Sequence, residues 1–201
     1  LTEFDILDHE IDVEVYPERE WLVGTSRMKL RVKSFMLAAL NLKLADNLTV
    51  SSVTSQELGR LLFLKVRNQN SIVVNLPAAL SRDYELTLTV RYQGRLERQA
   101  IDSESLQPER ARDPDIPYVA AEPNWLLSNR STWYPQSPVT DFATSTLRGA
   151  VPADYLVAAS GMPASSEPEL LPAAVGAPAR RLFTFRTGHP VRYLGAVVSR
   201  M

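Results

Sequence analysis

The stretch Ile11-Asp12-Val13-Glu14-Val15-Tyr16-Pro17-Glu18-Arg19-Glu20-Trp21-Leu22-Val23-Gly24, with Met28-Lys29-Leu30-Arg31-Val32-Lys33 after it, decides the fold class. Ile11, Val13 and Val15 alternate with Asp12 and Glu14, and Met28, Leu30 and Val32 alternate with lysine and arginine. Successive side chains of a strand point to opposite faces, so this two-residue period buries one face and wets the other. Pro17 and its charged neighbours turn the chain between the two runs, which predicts a hairpin. Arg27, Lys29, Arg31 and Lys33 fall on the wet face. They read as a solvent-facing strand that also discourages edge pairing, or as a patch for anions.

Working outward, similar runs occupy 40–44, 48–54, 61–66, 71–76 and 85–92, and again 142–151, 155–160, 181–186 and 191–199. Short polar breaks such as Asp46-Asn47 and Ser81-Arg82-Asp83 separate them. Nowhere does a capped, 3.6-residue apolar period extend over eleven residues. The expectation is an all-β chain, an antiparallel β-sandwich with few or no helices, forming one domain over 1–201. A long polar loop is expected at about 95–117, and an exposed hairpin excursion over the Pro- and Ser-rich residues 165–179. Residues 125–138 read as irregular structure packed by large rings.

Twenty-two basic and 23 acidic residues leave a net charge of −1, too weak a field to argue for nucleic acid. The absence of cysteine removes disulfides and thiolate metal sites. Apolar runs such as 36–40 fall far short of the roughly 20 residues of a membrane helix. The chain opens on Leu1-Thr2-Glu3 with no basic-then-apolar leader, and its start without Met reads as a piece of something longer.

Catalytic machinery is hard to find. The two histidines, His9 and His189, are far apart, and His9-Glu10 lacks the second histidine of a His-Glu-x-x-His zinc helix. Neither is read as a ligand; no metal and no cofactor is assigned to this chain, and no residue is read as catalytic. Ser160-Gly161 lacks the flanking pattern of a nucleophile elbow and reads as a strand end. Asp102 with Glu104 and Asp113 with Asp115 read as solvated loop charges, with a loose calcium site as the alternative. Trp125, Trp133 and Tyr134 form the best site candidate from the residues alone. They read either as rings that stack on a peptide or sugar, or as an aromatic plug at one end of the sandwich.

The order of these features resembles the N-terminal domain of the aminopeptidase N (membrane alanyl aminopeptidase) family of zinc metallopeptidases. The resemblance rests on Asp12-Val13-Glu14-Val15, then Trp21-Leu22-Val23-Gly24-Thr25 leading into Met28-Lys29-Leu30-Arg31-Val32. It continues through Tyr92-Gln93-Gly94 before a variable loop, Trp133-Tyr134-Pro135, and the closing run from Tyr193-Leu194 to Ser199. It implies a saddle-like β-sandwich that packs on a zinc-bearing catalytic domain of the same polypeptide, in an extracytoplasmic or membrane-associated parent. It also implies a carboxylate or amide in this domain that holds the substrate's α-amino group. The family's spacing puts that anchor at Trp125, which cannot accept a hydrogen bond; Glu122 is the nearest carboxylate. The family's Pro-Cys-x-Asp-x-Pro stretch is Pro135-Gln136-Ser137-Pro138 here. A stand-alone or scaffold β-sandwich that binds peptide or carbohydrate is the alternative reading.

Overall fold

A computed structural model describes residues 3–96, 124–139, 141–173 and 178–200. The first half contributes β1 (Phe4–Tyr16), β2 (Trp21–Val32), β3 (Met36–Lys43), β4 (Leu48–Ser55), β5 (Gly59–Arg60), β6 (Leu62–Val66), β7 (Ser71–Ser81) and β8 (Glu85–Arg95). The second contributes β9 (Asn124–Leu127), β10 (Thr144–Pro152), β11 (Tyr155–Ala159), β12 (Met162–Pro163), β13 (Glu169–Leu171), β14 (Arg180–Arg186) and β15 (Ala196–Arg200). Helical structure among the described residues amounts to two 3₁₀ turns, Pro17–Arg19 and Asn129–Ser131. The chain is all-β, as the alternation predicts.

The strands form a large sheet in the order β12-β14-β10-β1-β2-β8-β4-β5, with β13 also on β14. Two small sheets accompany it, β11-β15-β9 and β3-β7-β6. Among the described residues pairing is antiparallel except between β1 and β10, which run parallel with Ile11 opposite Leu147. The inward residues of all three sheets belong to one apolar cluster, which includes Ile11, Leu40, Leu42, Ile72, Val74, Leu88, Val90 and Val198. Both small sheets therefore bury themselves against one face of the large sheet, which is the arrangement of a sandwich.

The opposite face of the large sheet is wet and charged. Arg27 approaches Glu10 at 3.7 Å, Lys29 meets Glu85 at 2.9 Å, and Lys33 meets Asp5 at 3.2 Å. The basic stripe on β2 is thus a solvent-facing strand laced to carboxylates on its neighbours. It is not an edge guard, because β2 lies between β1 and β8.

Three elements differ from the expectation. Strand β7 runs on to Ser81 through Pro77, because its register with β3 jumps from Asn75 opposite Ala39 to Leu80 opposite Leu37. The irregularity takes up the residue that has no N–H to give. Trp125–Leu127, expected to be irregular, belongs to β9 and pairs with β15 as a strand. The closing strand begins at Ala196, and Val191 makes only an isolated bridge to Ala143. The expected polar loop lies, beyond Leu96, outside the described residues; of the 165–179 excursion, β13 is seen to pair with β14.

Candidate functional site

The segment 124–139 was the sequence's strongest pointer, and its path follows from local chemistry. β9 is held by β15, with Trp125 opposite Val198 and Leu127 opposite Ala196. Ser128 then ends the strand by accepting the Arg130 N–H at its Oγ (3.2 Å), and the Ser131 hydroxyl donates to the Ser128 carbonyl (2.7 Å). After this turn Thr132 takes a left-handed conformation (φ 41°), its carbonyl accepting the Ala45 N–H at 3.0 Å. That reversal aims Trp133-Tyr134-Pro135 inward.

All three candidate rings are buried: Trp125 is 1% exposed, Trp133 2% and Tyr134 3%. Trp125 packs on Tyr155 with ring centroids 6.1 Å apart. Trp133 and Tyr134 meet edge to face at 4.8 Å, and His9 sets its ring at 88° to Tyr134. The Tyr134 hydroxyl accepts the Leu194 N–H (3.1 Å), and the Trp133 indole N–H points at the Leu194 carbonyl (3.4 Å). Burial pushes the Tyr134 phenol up to about 12. These rings clamp β9 and the approach to β15 together. A ligand could stack on them only if this end of the sandwich opened. Glu122, and the carboxylate pairs Asp102/Glu104 and Asp113/Asp115, lie outside the described residues.

The two histidines lie in different settings. His9 faces the core from β1 and is 7% exposed, and burial lowers its pKa to about 4, so it is neutral near pH 7. His189 is exposed in the bend before Pro190. Among the described residues no group of three or more histidine, aspartate or glutamate side chains could hold a metal ion. Ser160 is engaged by a backbone: its Oγ accepts the Gly195 N–H at 2.9 Å. At Gly161 (φ +102°) a Cβ would stand 2.6 Å from the Arg186 carbonyl, so the Ser160-Gly161 pair is a tight strand end.

A groove of about 760 Å³ lies on the wet face of the large sheet. Several of its polar groups pair with one another, although the Arg180 Nε is buried without a hydrogen-bond partner. The Tyr16 hydroxyl donates to Glu14 (2.7 Å), and hydrogen bonding to that carboxylate raises the Tyr16 pKa. The Arg180 guanidinium covers the Tyr16 ring at 4.4 Å and donates to the Ala150 carbonyl at 2.8 Å. Arg148 forks onto Asp12.

The outward face of β11-β15-β9 carries an apolar patch beside Ser199 and Asn124. Leu126, Val197 and Ala158 form one row across the three strands, with Leu156 beside them on β11. Leu126, Leu156 and Val197 are 39%, 39% and 37% exposed. Such a patch is unusual on a sheet bathed in water, where outward positions are commonly polar. Sequence reading missed it because residues from three separate strands make it.

No family model matches the sequence, and no curated protein matches it either. Solved structures do. A zinc metallopeptidase of the M1 type from Deinococcus radiodurans superposes with a TM-score of 0.71 at 19% identity, over 98% of this chain. The fold is shared with M1 zinc metallopeptidases. A mutant from that organism bound to a Tyr-Ser-Ala substrate matches at TM-score 0.71 and 21% identity, and a two-domain M1 mutant bound to L-tryptophan matches at the same values. The chain spans about two fifths of each, 42%, 42% and 43% of their lengths. At such identities the likeness establishes the fold. No helix among the described residues is long and apolar enough to cross a membrane, which says nothing of a β-barrel.

Proposed function

We propose that residues 1–201 are the non-catalytic N-terminal domain of a zinc aminopeptidase-like metallopeptidase, forming one wall of its substrate cleft. The observation that carries this reading is the superposition of 98% of the chain on 42% of an M1 zinc metallopeptidase. The remaining length of such a protein supplies an occupant for the apolar patch on the outer face of β11-β15-β9. Leu126, Leu156 and Val197 would lose their exposed area against it, at a gain of about 25 cal/mol per Å² buried. Zinc belongs to that other part: the described residues of this chain do not offer it a ligand set.

Glu122 is the proposed contact to substrate. A carboxylate facing an ammonium makes a short, charge-assisted hydrogen bond that fixes the free amino end of a peptide. Trp125, three residues on, is buried, and with Trp133 and Tyr134 it would serve the site by fixing the chain's course. The test is zinc content and cleavage of aminoacyl reporter substrates, measured on the full polypeptide and on this chain alone. Zinc and cleavage in the former only support the reading. A full polypeptide that is metal-free and inert refutes it and leaves a β-sandwich scaffold or a peptide- or carbohydrate-binding module.

A further inference from the structure

We propose that the groove between the end of β3 and the bend before β15 is a binding site for a small oxyanion, a carboxylate or a phosphate. It measures about 460 Å³ and is lined by Lys43, Thr132, Gln136, Ser137, Arg192 and Tyr193, among others. Its centre is set by a backbone exchange: the Lys43 N–H donates to the Gln136 carbonyl (2.8 Å) and the Gln136 N–H donates back (3.0 Å). Residues directly opposite in such a pair project to the same side, so the Lys43 ammonium and the Gln136 amide share this groove.

Gln136 is 6% exposed, and its side-chain nitrogen has no hydrogen-bond partner. A buried donor left unmade costs about 1–3 kcal/mol. Lys43 and Arg192, the two cations of the groove, cannot relieve it, because ammonium and guanidinium groups have donors and no acceptor. Neither Lys43 nor Arg192 is paired with a carboxylate among the described residues, and no described acidic side chain lines the groove. Arg192 lies over the Tyr193 ring at 4.7 Å, which holds one face of the guanidinium and leaves its edge donors available.

The hydroxyls of Thr132 and Ser137 add donors that can turn toward a ligand. An arrangement of two unpaired cations around a buried, unsatisfied amide N–H₂ is complemented by an oxygen-rich anion. The Asp141 carboxylate lines the adjoining narrow cleft that Gln136 also borders, and it is occupied by the Ile6 N–H (2.7 Å) and the Phe142 N–H (2.9 Å).

The test follows the Gln136 side-chain amide in ¹⁵N-labelled protein at constant ionic strength. Three probes are titrated: inorganic phosphate, an N-acetylated dipeptide with a free C-terminal carboxylate, and its C-terminal amide. The expected result is a saturable shift of the Gln136 amide signals with phosphate, with the free carboxylate, or with both, and none with the amide. Lys43→Ala and Arg192→Ala change only exposed side chains and should each weaken that binding about tenfold. A response to the carboxylate alone assigns the site to peptide ends, and one to phosphate alone assigns it to phosphate. No saturable shift with either probe, or an unchanged affinity in the Lys43→Ala/Arg192→Ala double variant, overturns the proposal.

Discussion

His9 should make the stability of this protein fall on acidification, by an amount its burial sets. An exposed histidine takes up a proton near pH 6.5, whereas burial holds folded His9 neutral down to about 4. Between those values the unfolded chain binds more protons, so the folded state is fully favoured above 6.5 and loses ground as pH falls. Integrated from pH 7 to 4.5, the loss is about 2 kcal/mol. Asp141 works in the opposite direction. Burial, with the Asp5 carboxyl beside it, raises its pKa from 3.8 to about 6, so the folded state takes its proton first and gains as pH falls. That group is half-buried, and solvent screening reduces its share to roughly 1 kcal/mol or less. Urea unfolding at pH 7, 6, 5 and 4.5 separates the two. Relative to the wild type, His9→Gln should lose about 2 kcal/mol less across the range, and Asp141→Asn about 1 kcal/mol more. A His9→Gln curve parallel to the wild type would refute the reasoning, because common background titrations cancel in the comparison.

At Gly24 a Cβ would stand 2.3 Å from Cζ of Tyr92, whose ring is 1% exposed and has no room to retreat; Gly24→Ala should cost about 1–3 kcal/mol in urea unfolding. The Tyr92 hydroxyl is buried without a partner, and burial raises its pKa; Tyr92→Phe should leave stability unchanged or raise it by about 1 kcal/mol. Leu126→Lys and Leu156→Lys should each alter the isolated chain by about 1 kcal/mol or less, yet abolish its association with the remainder of the polypeptide supplied in trans, as read by size-exclusion chromatography. In the full polypeptide, Glu122→Ala should lower kcat/KM for a free amino-terminal substrate by about 10- to 100-fold and leave N-acetylated substrates unaffected.

The fold class was legible because burial in a two-faced sheet writes itself into every second residue, and Ile11 to Val15 and Met28 to Val32 carry that record plainly. What pairing does over distance leaves no such trace. Nothing local to Ile11 announces a parallel partner at Leu147, and Pro77 conceals a strand that continues past it. The aromatic candidates show a different limit. Trp125, Trp133 and Tyr134 have the composition of a binding platform and of a core plug alike; the pairing of β9 with β15 puts Trp125 inside, and the left-handed Thr132 and the hydrogen bond from Leu194 to Tyr134 do so for the other two. The Lys43–Gln136–Arg192 groove joins residues from three distant parts of the chain, one of them a glutamine whose role depends on having no partner. No spacing rule encodes that.

The parallel pairing of β1 with β10 also orders events during synthesis. β1, β2, β4 and β8 can assemble once about residue 95 has emerged, but β1 then presents an open edge until residues 144–150 arrive. A ribosome adding about 5–20 residues per second leaves that edge uncovered for several seconds. Non-local closure of this kind is slow and exposes unpaired strands to other nascent chains. Expression yield should therefore respond to chaperone supply and translation speed between residues 95 and 150, even for variants whose finished stability is unchanged.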